Sequence, residues 1–514
     1  MSGQRNTKTK RAKTELAQFF TPQPVAACIW KVVQSYLGKG EWAQLRVIDP
    51  AAGEGIFLEV VASGHKVAVE QIYGIEIDAK LVDKVVNKTQ FFSGDGLAQD
   101  FPAVQSASFD VVIGNPPFGR VGEVVPQLYR KMGSQWAEQF SIWRAGAGAG
   151  NKRRLNHFPI EVLFIERALQ LARPGGLIAF IMPEGFLTND RLQRVRDWIL
   201  GQADLLATIA LPDAVFHRPG VHAKTAVIVL RKKGGAQSHR RAALMVQDQK
   251  KGTLEQAMED ILRHVRAAQR GRKGKYVMRI PALELWGQRW DVQYWRGRQA
   301  GVAIDRRFAL VALGDYIEHL TYGPIVTGRK PRHEEAGIRV IRQGNFAETG
   351  LCLEESLRVA TGGVYDPQRS RVQEGDLLLP RSGAGALGRN RLAVYLEDEP
   401  ANIGCFVDRL RLRGLNPFFA WFFFKTEPGW QQIRALINGV GTPNINFSEI
   451  RSLRLPLIPE ETQEYLEERY RREVWPLHCR RSGDEIARQR SAERFKEIIA
   501  DLSSFTGGQI RSFG

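Results

Sequence analysis

Leu45-Arg-Val-Ile-Asp-Pro-Ala-Ala-Gly-Glu-Gly-Ile-Phe-Leu58 is an apolar run, a glycine-bearing loop and a second apolar run. It reads as strand, tight turn and helix, the opening of a doubly wound α/β unit whose ligand crevice lies at the carboxyl ends of the strands. Gly53 and Gly55 let the backbone approach a ligand closely, and Asp49 places a carboxylate beside the loop. The lysine and hydroxyl residue of a phosphate-cradling loop are missing, as is the third glycine of the dinucleotide pattern. A ligand amino group therefore suits Asp49 better than a phosphate does. A lone Gly-x-Gly is also ordinary loop chemistry, and it gains weight here from the acidic strand ends downstream of it.

Ile72-Tyr-Gly-Ile-Glu-Ile-Asp78 is a strand ending in acid, where Glu76 can accept from both hydroxyls of a ribose. Phe92-Ser-Gly-Asp-Gly-Leu97 then offers Asp95 to an adenine amino group. Carboxylates at successive strand ends imply a ligand with an amino-acid end, a ribose and an adenine but no phosphates, which describes S-adenosylmethionine. Further on, Phe109-Asp-Val-Val-Ile-Gly-Asn-Pro-Pro-Phe-Gly-Arg120 is a buried-strand pattern that stops at a proline-stiffened loop. An exocyclic amino group needs two acceptors for its two N–H donors and a ring to stack on. Asn115 Oδ1 and the Pro116 carbonyl are candidate acceptors, and Phe118 a candidate stacking face. Held in this way, the nitrogen lone pair is drawn out of the ring and toward an electrophile. The plainer alternative is a strand followed by a turn, since proline pairs are common in loops.

With these motifs in chain order, the sequence resembles the gamma class of DNA adenine-N6 methyltransferases, of the TaqI type and the type I modification subunits. That class carries a Phe-x-Thr-Pro element before its cofactor loop, and Gln18-Phe-Phe-Thr-Pro22 stands in that place. The resemblance implies a Rossmann-like class I methyltransferase domain with Asn115, Pro116, Pro117 and Phe118 as the catalytic tetrapeptide. It further implies S-adenosylmethionine bound by Thr21, Pro22, Asp49, Ala51, Gly53, Glu76, Asp95 and Pro117. The family places a second aromatic against a base flipped out of the duplex, and Phe216 is the candidate, an ordinary core aromatic being the alternative. One departure is Phe118 where tyrosine is commoner, and phenylalanine still stacks. The likeness covers roughly the first half of the chain.

The 514 residues carry 73 Lys+Arg against 55 Asp+Glu, a formal net charge of +18. Such a surplus points to a polyanion, here double-stranded DNA, bound with strong salt dependence. A hydrophobic fraction of 43% describes a globular chain, and its apolar runs are too short to span a bilayer. Met1 to Lys13 is polar and basic, unlike a signal peptide. Cys28, Cys352, Cys405 and Cys479 are scattered, in no spacing that suggests zinc or a disulfide framework. A cytoplasmic protein without a metal is the expectation.

The α/β pattern runs to about Lys233 and breaks at Gly234-Gly-Ala-Gln-Ser-His-Arg-Arg241. The expected organisation is a catalytic domain over 1–235, a linker over 236–308, an α+β recognition domain over 309–460 and a spacer-like helical tail over 461–514. Trp286 to Trp295 is an aromatic cluster that reads as a packing seam, with a base-stacking platform as the alternative. From Val311 to Arg472 the succession resembles the target recognition domain of type I specificity subunits. Candidate DNA contacts are Arg153, Arg154, Arg329, Lys330, Arg381 and Arg389, in glycine-rich loops where arginine can read guanine or only clamp phosphate. The same tetrapeptide also serves cytosine-N4, RNA and protein-glutamine methylation, and a DNA-binding subunit without catalysis is a third alternative. A separate restriction endonuclease partner, and a monomer or a homodimer, are compatible with the sequence.

Overall fold

The computed structural model describes residues 20–38, 42–64, 66–82, 90–98, 101, 104–121, 140–142, 158–212, 215–218, 221–222, 224–234, 242–247, 252–274, 276–300, 305, 307–328, 331–354, 356–437, 444–478 and 484–507. The chain divides into two compact units, Met1–Val292 and Gln293–Gly514.

Among the described residues, the first unit is built on a sheet of nine strands: β1 (Val47–Asp49), β2 (Ile72–Glu76), β3 (Phe91–Ser93), β4 (Phe109–Gly114), β5 (Ala172–Pro183), β6 (Ala203–Ala210), β7 (Thr225–Lys232), β8 (Ala243–Val246) and β9 (Val277–Ile280). Their order across the sheet is β9-β8-β6-β7-β5-β4-β1-β2-β3. Strands β3, β2, β1, β4 and β5 run parallel, and β7 inserts antiparallel between β5 and β6. A sheet covered on both faces buries its strands on both sides, so they read as unbroken apolar runs. Val111, Val112 and Ile113 in β4 and Ile178 through Met182 in β5 are all fully buried. The order reverses between β1 and β4, the point at which a doubly wound sheet opens its ligand crevice. Val47 pairs with Ile72 on one side and Val111 on the other, so Asp49, Glu76 and Gly114 all arrive at one edge.

The α/β pattern does not end at Lys233. β8 adds parallel to β6, and β9 adds antiparallel to β8, so the segment expected as a linker over 236–308 extends the sheet by two strands. Between them runs helix Leu254–Gln269, started by a capping box in which Thr253 and Gln256 each satisfy the other's backbone N–H. Its apolar face packs on helix Gln23–Leu37, where Cys28 Sγ donates to Met258 O at 3.3 Å. The glycine-rich break hid this return because β8 has four residues, too few to show a periodicity. Trp290 also belongs to this unit: its backbone N–H donates to Leu187 O at 3.0 Å and its ring meets Phe186 edge-on at 5.9 Å.

Among the described residues, the second unit holds two four-stranded sheets, a two-stranded one and an aromatic core. Asn416 caps helix Pro417–Lys425 by accepting from Phe418 N at 2.8 Å and Phe419 N at 3.2 Å. Every residue from Phe418 to Phe424 is buried, and the Trp421 ring lies 5.1 Å from that of Tyr470 and 5.2 Å from that of Phe495. Such pairs contribute about 0.5–1.5 kcal/mol each beyond their buried area. The tail expected as a separate spacer instead supplies Leu466, Tyr470, Val474, Phe495, Ile498 and Leu502 to this core. Cys352 is disulfide-bonded while Cys28 and Cys405 are free thiols, which corrects the expectation of cysteines without any disulfide. Sequence spacing could not show it, because only folding brings distant thiols together. Among the described residues, no helix is long and apolar enough to cross a membrane.

Candidate active site

At the reversal point the strand ends enclose a cavity of about 260 Å³, lined by Thr21, Asp49, Ala51, Gly53, Glu76, Asp95, Asn115 and Pro117. These eight positions come from five separate stretches of sequence, and all were expected at one site. The lining also includes Phe20, Phe57, Ile77, Leu97, Ile160 and Phe164, apolar side chains to which the motifs assign no role. Glu54 and Glu59 bring the lining carboxylates to five, and among the described residues no lysine, arginine or histidine joins the lining. A phosphate would find no cation among them. A cationic ligand with hydroxyl and amino donors fits.

Each acid is set by its strand. Asp49, 1% exposed at the end of β1, accepts from Ala51 N through Oδ1 at 3.0 Å. Burial pushes its carboxyl up to about 8, against the single backbone donor. Glu76 closes the glycine loop from the end of β2, with Oε2 accepting from Gly53 N at 2.8 Å and Oε1 from Asp78 N at 2.9 Å. Burial raises its carboxyl above the ordinary range, with the backbone donors opposing. Each of its oxygens keeps a second lone pair for a ligand hydroxyl. Asp95 Oδ1 accepts from Leu97 N at 3.0 Å, which turns the short loop after β3 toward the cavity.

Two glycines make the crevice possible. A Cβ on Gly114 would stand 2.5 Å from Asp49 Oδ1, and one on Gly96 would stand 1.7 Å from the Pro50 carbonyl oxygen. Both flank residues that the motifs did mark, and nothing in one sequence distinguishes them from turn glycines.

Beyond β4 the tetrapeptide turns out of the sheet. Asn115 Nδ2 donates to Thr21 Oγ1 at 3.1 Å, so the leading Thr-Pro element and the tetrapeptide meet. This orientation, assigned from the hydrogen bond, makes Oδ1 rather than Nδ2 the atom that an incoming amino group would meet. Pro22 caps helix Gln23–Leu37 through its carbonyl and, with Pro116 and Phe118, is not part of the cavity lining. Pro116 is buried, and half-buried Phe118 packs against the core cluster that contains Phe216. Phe216 is 5% exposed, so in this conformation it serves as a core aromatic and offers no open stacking face.

The candidate DNA contacts distribute differently. Arg153, Arg154, Arg329 and Lys330 lie outside the described residues. Arg381, in the second unit, stacks over the Tyr322 ring at 4.5 Å and the Phe447 ring at 5.2 Å, with Nε 3.6 Å from buried Asp408 Oδ1. Arg389 is exposed at the end of the short turn Leu387–Arg389.

Strand order, crevice position and an acid-lined cavity define a class I S-adenosylmethionine-dependent methyltransferase fold. The chain belongs to the N-6 DNA methylase family, whose model matches residues 5–269. It is similar to the type II methyltransferase M.TthHB8I of Thermus thermophilus, 28% identical over 165 residues that make up 30% of this chain and 33% of that protein. The defense against restriction protein B of Escherichia phage P1 is 23% identical over 220 residues, 42% of this chain and 8% of that protein. The matched segments thus span a third or less of the length of these relatives. Among solved structures, the Type IIL restriction-modification enzyme MmeI in complex with DNA aligns with 100% of this chain and 76% of its own, at 11% identity and a TM-score of 0.50. That likeness is one of fold.

Proposed function

We propose that this protein is a site-specific DNA methyltransferase that modifies the N6 amino group of adenine within a restriction–modification or defence system. The observation that carries this is the cavity in which Thr21, the three strand-end carboxylates and Asn115 meet. S-adenosylmethionine, when bound, supplies an electrophilic methyl group on a sulfonium. Asp49 would hold its ammonium, Glu76 its ribose hydroxyls and Asp95 its adenine amino group. Leu97, Ile77 and Phe164 would provide apolar surface for the adenine ring, and the surplus of acidic side chains suits a sulfonium cation.

The target adenine cannot reach this crevice from inside a duplex. It must be extruded, at a cost of a few kcal/mol. Stacking on Phe118 offsets about 1–3 kcal/mol of that. Asn115 Oδ1 and the Pro116 carbonyl accept the two amino N–H groups and direct the nitrogen lone pair outward. No carboxylate base is needed at the nitrogen, because its proton becomes acidic as transfer develops positive charge. Phe216 takes part only if the loop after β6 rearranges on binding. The second unit is the recognition domain in this account, with Arg381 reading a base edge or a phosphate. A separate restriction endonuclease is a partner that this reading allows.

Methylome sequencing of DNA from cells expressing the protein tests this directly. One motif carrying N6-methyladenine is the expected result. Methylation confined to cytosine, or to RNA, would overturn the assignment.

Proton linkage gives a second test. Below about pH 8 buried Asp49 holds a proton in the free protein, whereas pairing with an ammonium requires the carboxylate. Binding of S-adenosylmethionine therefore releases a proton, and its affinity should rise by up to about tenfold per pH unit below about pH 7.5. Above that the ligand's own ammonium, of pKa about 7.7–8.0, begins to lose its charge and the rise levels off. Calorimetric titrations in buffers of different ionisation heat would detect the proton. Asp49→Asn should flatten the profile, and a flat profile in the wild type would remove Asp49 from the ammonium site.

A further inference from the structure

Helix Ile160–Leu171 is buried at every residue from Ile160 to Leu169, including the charged side chains of Glu161, Glu166 and Arg167. Three charges on one buried helix are costly unless each is matched. Each of them meets a backbone group. Glu161 Oε2 accepts from Gly119 N at 3.2 Å, directly after the tetrapeptide. Glu166 accepts from Ser141 N and Oγ at 2.9 Å and from Ile142 N at 2.7 Å. Arg167 Nε donates to Gly96 O at 3.3 Å, beside Asp95. The helix also presents Ile160 and Phe164 to the cavity itself.

The Gly119 contact stands apart, because Gly119 is held from both sides. Its carbonyl accepts from Ile160 N at 2.8 Å while its N–H donates to the Glu161 carboxylate. A backbone bridge between Arg120 and Pro159 continues the same junction. The tetrapeptide is thus anchored at its far end to the first turn of a helix whose side chains line the cofactor cavity. At its near end it is anchored to Thr21.

We propose that Glu161 is a positioning residue for methyl transfer: by holding the Gly119 amide it sets where Asn115 and Pro116 present their acceptors to the target amino group. This rests on the methyl-transfer reading of the site. Glu161 touches neither cofactor nor base, so its removal should act on turnover and leave cofactor affinity alone. A misplacement of about 1 Å at reacting groups is worth about 10²-fold in rate.

The test compares Glu161→Gln, Glu161→Asp and Glu161→Ala in the full chain. Glutamine keeps an acceptor at the same reach, aspartate withdraws it by one methylene, and alanine deletes it. We expect kcat within about threefold of wild type for Glu161→Gln and reduced about 10²-fold for Glu161→Ala, with KM for S-adenosylmethionine unchanged in both. Should the alanine variant fail to fold, Glu161→Asp carries the comparison, with kcat again falling at constant cofactor KM. Hydrogen exchange at the Gly119 amide should quicken in the aspartate and alanine variants and not in the glutamine variant. That readout needs no DNA, so it separates failure of the positioning role from failure of the methyltransferase reading, which would show as an inactive wild type. Equal kcat in all variants, equal loss in glutamine and alanine, or unchanged Gly119 exchange would overturn the proposal.

Discussion

Asn115→Ala is expected to lower methyl transfer by at least about 10³-fold while S-adenosylmethionine binds as before. The substitution deletes the acceptor that we assign to one amino N–H of the target base, in a site where single preorganised hydrogen bonds carry about 10²–10³ in rate. Asn115 also donates to Thr21 Oγ1 at 3.1 Å, so its loss loosens the tetrapeptide from the leading element as well. The two effects act on the same step, and their product exceeds either. Transfer of labelled methyl groups to DNA, measured beside calorimetric cofactor binding, separates chemistry from binding. Asn115→Asp is the informative companion, because it retains an acceptor but no longer donates to Thr21 once ionised. Appreciable turnover in the alanine variant would show that the amide is not the activating group.

The second large effect is expected at Gly96, a residue that touches no reacting atom. A Cβ there would lie 1.7 Å from the Pro50 carbonyl oxygen and 2.8 Å from its carbon, both backbone. Neither can yield without moving the glycine loop that carries Ala51 and Gly53. Gly96→Ala should therefore part the β1 and β3 loops, weaken cofactor binding by more than about tenfold and destabilise the first unit by about 1–3 kcal/mol or more. Gly185→Ala serves as the control. Gly185 lies in the short helix Glu184–Thr188 with nothing within 4 Å of an added methyl, and alanine suits a helix better than glycine. Thermal melts and cofactor titrations on both variants decide the matter. A Gly96→Ala protein with native affinity would mean that the two loops have slack that the structure does not show.

Much of this site is legible in the amino-acid sequence alone. The strand, loop and acid of Leu45 to Leu58, Ile72 to Asp78 and Phe92 to Leu97 are local patterns, each complete within about a dozen residues. A doubly wound sheet then places every such loop at one edge, so local motifs became neighbours by topology alone. Positions whose role depends on a distant partner stayed silent. Glu161 reads as the second residue of an apolar helix until its carboxylate is seen on Gly119. Phe216 had the right place in the chain for a stacking aromatic, yet its burial depends on how the loop after β6 packs. The strands after Lys233 leave no readable signal, because a four-residue strand has too little pattern to outweigh a glycine-rich break.

The amino-acid sequence by itself determined the class of fold, the order of the cofactor and tetrapeptide motifs, and the acidic, phosphate-free character of the crevice. These follow from side-chain chemistry and from periodicities of about two and 3.6 residues, which act over short spans. Only the tertiary structure decided that the sheet continues past Lys233, that the C-terminal helices share the core of the second unit, and that Arg381 lies against Tyr322, Phe447 and Asp408. Those outcomes rest on contacts between residues far apart in the chain, whose energies exist only after packing has brought the surfaces together.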